Sequence, residues 1–266
     1  MKQHSRDRIA ADISRLTSDS TSMVMVHASL RRIGPVEGGA DGVLDAVFQS
    51  IGKEGTVLMV LGAYDAHSWV DDQPEDLRHS LLADAEPFDA WSTRADPDVG
   101  VLAEVFRRRP GTLVSDHPEG RFAAAGELAD HLVRDVPWHD YYGPDSPLAR
   151  FTTRGGAVLR MGADTDTTTL LHHAEYLADV PDKRRVRRHR LIATPTGPVV
   201  RAIECLDDEN GIVDRPGEDY FTTILRDYLS LGRSATGIVG SAQSHLLDAQ
   251  DLVSFAADWM TANLGR

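Results

Sequence analysis

The chain has almost no cysteine. Cys205 is the single one among 266 residues, which excludes an intrachain disulfide and a cysteine-built metal site. That usage fits a reducing compartment. Cys205 itself reads as a small buried hydrophobe, with a catalytic thiol as the other reading. No run of about 18 apolar residues is present, so no membrane span is expected. The opening M-K-Q-H-S-R-D-R-I-A-A-D lacks the apolar core of a signal peptide, and a cytoplasmic protein is the expectation. Basic residues are scarce: 28 Lys and Arg stand against 41 Asp and Glu, a formal net charge of −13. A nucleic-acid binder shows the opposite balance. An acidic surface attracts cationic ligands, or serves solubility alone. Also missing are a G-x-S-x-G elbow, a P-loop, G-x-G-x-x-G and H-E-x-x-H. An α/β-hydrolase and a zinc peptidase are therefore disfavoured.

What is present looks globular: 41% hydrophobic and 26% charged residues. A helix is expected over about 6–16. Ser22 to Leu30 is a short apolar run fitting a buried strand that ends at His27. The loop G-P-V-E-G-G-A-D-G follows, then a helix from Val43 to Ile51 and a second buried strand from Thr56 to Leu61. Strand, glycine-rich loop, helix, strand implies a βαβ unit. Residues 62–98 are acidic and irregular, and a loop that long is usually functional. Further helices are expected over Val99–Arg108, Phe122–Val133, Leu170–Leu177 and Asp248–Asn263, with a strand over Ala157–Met161. Arg190 to Cys205 reads as a hairpin about P-T-G-P. With no repeat and no linker, the expectation is an α/β fold: a single domain over 1–266, a mixed sheet flanked by helices, with the 62–98 loop elaborated.

The stretch T-T-T-L-L-H-H-A-E-Y, Thr167 to Tyr176, is the most informative. On a helix, His172 and Glu175 share a face, and an imidazole beside a carboxylate is a ready base near neutral pH. His172 and His173 point about 100° apart, which weakens a metal reading. A structural histidine at the helix start remains the competing reading. The glycine loop is either a tight turn or an anion-binding helix start, with Ser29, Arg31 and Arg32 adding donors upstream. His117 precedes a proline, and either lines a cleft or caps the next helix. The acidic string E-C-L-D-D-E-N-G reads as a solvated loop or as carboxylates for a polyamine. The basic run K-R-R-V-R-R-H-R, Lys183 to Arg190, reads as a solvated face.

These elements, in order, resemble the aminoglycoside 3-N-acetyltransferase family. The matching stretches are V-H-A-S-L-R-R-I-G with V-E-G-G-A, G-K-E-G-T-V-L-M, D-V-G-V-L-A-E-V-F-R-R-R-P-G, S-D-H-P-E-G-R-F-A-A-A-G, G-P-D-S-P-L-A-R, the long segment G-A-V-L-R-M-G through H-H-A-E-Y, and G-I-V-G-S-A-Q-S-H-L-L-D-A-Q-D-L-V. Together they span about residues 8–262. The resemblance implies acetyl transfer from acetyl-CoA to the 3-amino group of a 2-deoxystreptamine ring, on an antibiotic-acetyltransferase-like α/β fold rather than the GNAT fold. The charge balance, the absent apolar run and the missing metal motifs add the expectation of no metal and no nucleic-acid or membrane partner, in a monomer or homodimer.

By the same resemblance, His172 falls on the family's catalytic histidine and Glu175 on its glutamate. The cofactor loop falls on His27, Ser29, Leu30, Arg31, Gly38 and Gly39, and Ser115 matches the S-x-H-P element. Substrate-facing positions fall on Tyr64, Asp65, His117, Asp207 and Glu209. Thr168 and Thr169 are candidates for stabilising the thioester oxygen. The chain departs from the family at Ala28, where a serine is usual, at Thr168, where an asparagine is usual, and in G-A-Y-D-A-H-S-W-V-D-D, which replaces an aromatic, proline-rich loop. Two other readings stay open: acetylation of a different amine metabolite, and a non-catalytic binder of cationic small molecules.

Overall fold

The computed structural model describes residues 3–18, 20–215, 217 and 219–265. The chain runs α1 (Arg6–Ser14), β1 (Met23–Ala28), α2 (Leu30–Ile33), α3 (Gly39–Ile51), β2 (Thr56–Val60), α4 (Glu75–Leu81), α5 (Val101–Arg107), β3 (Leu113–Val114), β4 (Phe122–Ala125), α6 (Ala129–Val133), α7 (Pro147–Thr153), β5 (Ala157–Met161), α8 (Leu171–Leu177), β6 (Arg185–Ile192), β7 (Val199–Leu206), α9 (Tyr220–Ser230), β8 (Ala235–Val239), β9 (Ala242–Asp248) and α10 (Ala249–Leu264). Seven strands form one mixed sheet in the order β3-β4-β2-β1-β5-β9-β8, and β6 and β7 form a separate hairpin. β1 lies parallel to both β2 and β5, while β4 and β9 run antiparallel to their neighbours.

The continuous apolar runs exist because both faces of the sheet are covered. Val24, Val26, Val57 and Met59 pack with Ile9, Val47 and Phe106 from α1, α3 and α5. The alternate residues Met23, Met25, Leu58 and Val158 pack on the other face with Phe151, Leu171, Ile224 and Met260 from α7 to α10. Such a layered sheet collects ligand-binding loops at the carboxyl ends of its parallel strands. Here those ends are His27 and Ala28 closing β1 with Ser29 beyond, the turn after β2, and the 162–170 segment after β5.

Several expectations are corrected. Phe122–Val133 is not one helix: Phe122–Ala125 is a strand paired with β2 and β3, and only Ala129–Val133 is helical. The glycine loop is shorter than expected, because α3 already begins at Gly39 and α2 intervenes after Ser29. The 62–98 segment is not irregular throughout. It holds a 3-10 helix, Asp65–Val70, and α4, and it docks on the hairpin through Phe88, whose N–H donates to the Leu191 carbonyl at 2.7 Å. The basic run is only partly a solvated face: Arg185 and Arg187 are exposed, but its second half is buried. It forms β6, with Arg188 only 8% and Arg190 only 2% exposed. Their guanidiniums are matched by Glu119, Asp71, Asp208 and the Tyr141 hydroxyl.

Candidate active site

α8 carries His172 and Glu175 one turn apart. Glu175 is buried at 1% exposure, and its Oε2 lies 2.8 Å from His172 Nδ1. An ionised carboxylate only accepts, so Nδ1 donates and Nε2 is the nitrogen left for a substrate. The imidazole is fixed on both sides: Tyr142 stacks on it, with centroids 5.1 Å apart and planes at 14°, and Phe221 meets it edge-on at 4.7 Å. Burial works against the imidazolium, but the charge and hydrogen bond of Glu175 outweigh it, with Asp208 and Asp219 adding to the effect. His172 is thereby held above its ordinary value of 6.5. His173 is a different case. It is 6% exposed, is bonded through Nδ1 to the Tyr142 carbonyl, and burial holds it below the ordinary imidazole value.

His172 and Glu175 lie on the wall of a cavity of about 810 Å³ with a strongly acidic lining: Asp166, Asp208, Glu209, Asp214 and Asp219, against Arg184 and Arg215. A second cavity of about 510 Å³ lies at the sheet's carboxyl edge. Val26, Met59, Val60, Val99 and Leu102 give it an apolar wall, and His27, Ser29, Leu30, Arg31 and Thr169 also line it, with Asp98 and Asp164. Thr167 lines both cavities, so the two meet at the segment that leads into α8. A long, partly apolar ligand lying over the carboxyl end of β1 would therefore point toward the His172 cavity. Cys205 offers no nucleophile, since burial pushes its thiol up to about 12.

The family model for aminoglycoside 3-N-acetyltransferases matches residues 25–261. The chain belongs to the aminoglycoside 3-N-acetyltransferase family. It is 39% identical to aminoglycoside N(3)-acetyltransferase VII of Streptomyces paromomycinus over 98% of this chain and 93% of that protein. The enzyme III of Serratia marcescens is 35% identical, over 97% and 98%. Among solved structures, an AAC-IIIb binary complex with CoASH superposes with a TM-score of 0.92 at 38% identity, covering 99% of this chain and 98% of that one. AAC-VIa bound to sisomicin superposes at 0.91 with 34% identity, covering 100% of both. The mixed α/β sheet flanked by helices is thus the fold of this acetyltransferase family.

The residues expected from the family pattern separate into three groups. His27, Ser29, Leu30 and Arg31 sit together on the apolar cavity. His27 is neutral there, held down to about 3 by burial and then by Arg160. Gly38 and Gly39, with φ of +77° and +60°, form the start of α3 and are not on that wall, because α2 carries the chain away from the strand end. Ser115 is fully buried; its hydroxyl donates to the Gly120 carbonyl and accepts from Phe122 N–H. His117 faces no cleft and caps no helix. Its Nδ1 accepts from the Glu119 and Gly120 amides, its Nε2 donates to the Trp138 carbonyl, and burial holds it neutral, down to about 4. Ser115 and His117 therefore build the 115–122 turn, and neither lines the apolar or the acidic cavity.

The acidic turn is also reassigned. Asp207 is buried at 2% exposure, and its Oδ1 accepts from the Glu209 and Asn210 amides, which is a turn-forming role. Asp208 and Glu209 are the pair on the His172 cavity. Tyr64 and Asp65 line a separate space of about 790 Å³ that meets the apolar cavity at Gly100 and Val101. Burial, then repulsion from Asp96, holds Asp65 above the usual carboxylate value. Thr168 is fully buried, so of the two oxygen-stabilising candidates only Thr169 reaches the cavity wall. The residues missed by sequence reasoning are Tyr142, Asp208, Asp219, Tyr220 and Phe221. The signal that could have found the last three is the D-Y-F triplet, a helix cap followed by aromatics: Asp219 accepts from the Phe221 and Thr222 amides at the start of α9.

A general base at His172 would carry a pH signature. A base whose value is raised is protonated below that value and free above it. The kcat/KM of the enzyme should fall on acidification with a midpoint above 6.5. An acid limb centred below the ordinary histidine value would contradict the Glu175 pairing.

Proposed function

We propose that this chain moves the acetyl group of acetyl-CoA to the 3-amino group of a 2-deoxystreptamine aminoglycoside, with His172 as general base and Glu175 as the carboxylate that orients it. The observation carrying the proposal is the 2.8 Å contact between His172 Nδ1 and Glu175 Oε2 on the wall of an acidic cavity. Aminoglycosides are polycations, and the attacking amine must lose a proton to become a nucleophile. His172 Nε2 receives that proton, and Glu175 holds the ring while the imidazolium forms. Asp208, Glu209 and Asp219 receive the remaining ammonium groups, which both orients the sugar rings and draws the substrate in.

The apolar cavity suits the pantetheine arm of the cosubstrate, with Val26, Met59 and Leu102 as its walls and the exposed Arg31 placed for a phosphate. Bound acetyl-CoA supplies the activated thioester. The inert Cys205 favours direct transfer without an acyl-enzyme. The reaction would take place in the cytoplasm and give antibiotic resistance, and the whole of 1–266 would act as a single antibiotic N-acetyltransferase domain, with 62–98 as its elaborated loop. Thiol release from acetyl-CoA across about a dozen aminoglycosides tests the reading. Turnover with 2-deoxystreptamine compounds is expected. Release only with an unrelated amine, or ligand binding without release, would replace it by one of the other two readings.

A further inference from the structure

Glu175 has two oxygens and almost no contact with solvent. Oε2 holds His172, and Oε1 accepts a hydrogen bond from the Tyr220 hydroxyl. That hydroxyl accepts in turn from the Ile212 N–H at 3.3 Å. Tyr220 is the first residue of α9, is 7% exposed, and lies edge-on to Phe221, the ring that abuts His172. Gly211 closes the acidic turn against the Tyr220 ring: its φ is +81°, and a Cβ there would come within 3.0 Å of that ring. The turn bearing Asp208 and Glu209 is therefore tied, through one phenol, to the carboxylate behind the base.

We propose that Tyr220 is a positioning residue for acetyl transfer: its hydroxyl fixes the Glu175 carboxylate that fixes His172, and it locks that pair to the acidic turn facing the substrate. The proposal rests on His172 being the base. Without the hydroxyl, Glu175 is free to turn about its last bond while still accepting from Nδ1, so the imidazole keeps a charged acceptor but not a fixed one. The hydroxyl also takes up part of the carboxylate's negative charge. Removing it lets that charge act more fully on His172. The other charged groups around the pair are Asp208 and Asp219 toward His172 and Lys183 toward Glu175, and all remain in the variant.

The test is Tyr220→Phe, with sisomicin and acetyl-CoA as probes. The expected result is a fall in kcat of about tenfold, with both KM values within about twofold of the unmodified protein. The acid limb of kcat/KM should move to higher pH. The histidine titration followed by NMR on the substrate-free protein should show His172 moving the same way. In a Glu175→Ala background the same substitution should cost nothing further, because the hydroxyl acts through that carboxylate. An unmoved His172 titration, or an equal kcat loss in the Glu175→Ala background, overturns the proposal. Failure of the acetylation reading is seen separately, as no thiol release by the unmodified protein, while the NMR titration needs no substrate.

Discussion

His172→Ala lowers kcat for acetyl transfer by about 10²–10⁴-fold, the usual contribution of a positioned general base. Acetyl-CoA still binds, since His172 is not on the wall of the apolar cavity. The aminoglycoside also still binds, because the cavity keeps Asp208, Glu209 and Asp219. The loss therefore falls on kcat with little change in either KM. His172→Gln restores little: an amide fills part of the space and can still bond Glu175, but it has no basic nitrogen. Steady-state thiol release with calorimetric acetyl-CoA binding checks both halves. Retention of more than about a tenth of the activity would leave His172 a structural residue, the competing reading of the T-T-T-L-L-H-H segment.

Glu119→Ala has the largest expected effect on stability, about 3–5 kcal/mol, because it removes one partner from a buried ionic cluster. Glu119 is 1% exposed; Arg190 Nε reaches its Oε1 at 2.5 Å, and Arg188 lies 3.4 Å from its Oε2. Alanine leaves two guanidiniums facing a cavity. Urea unfolding measures the loss, and a change under about 1 kcal/mol would show that water or Asp71 and Asp208 can take over both arginines. The cluster also bears on the site, because Arg188 holds Asp208, which accepts from the Tyr141 hydroxyl at 2.7 Å as well. A weaker grip on that turn should raise the aminoglycoside KM more than the acetyl-CoA KM.

The parts of the fold that were legible are those whose burial repeats locally. β1, β2 and β5 are short apolar runs between turn residues, and the apolar stripe of α3 has the helical period. The segment F-A-A-A was misread because three alanines favour a helix, whereas pairing with Val57–Val60 on one side and Leu113–Val114 on the other makes it a strand. The basic run was misread for a related reason. What neutralises Arg190 is Asp71 and Glu119, far away in sequence, and no local pattern announces them.

The same distinction holds at the site. His172 and Glu175 are three residues apart, so one helix turn brings them together and the sequence was enough to pair them. Tyr220 and Tyr142 reach that pair from other elements and left no spacing to read. Asp207 and Asp208 show how fine the remaining ambiguity was. Successive residues of a tight turn point opposite ways, so one carboxylate folds back to cap the turn and its neighbour lines the cavity. Ser115 and His117 matched a family motif, and both serve the geometry of their own turn.

The most direct measurement is a single-turnover reaction of the unmodified protein and His172→Ala with acetyl-CoA and sisomicin, with the product identified by NMR. The expected result is an acetyl group on the 3-amino nitrogen with the unmodified protein and almost none on the same timescale without His172. Acetylation at another amine, or the 3-N-acetyl product formed at an undiminished rate by His172→Ala, would contradict the assignment.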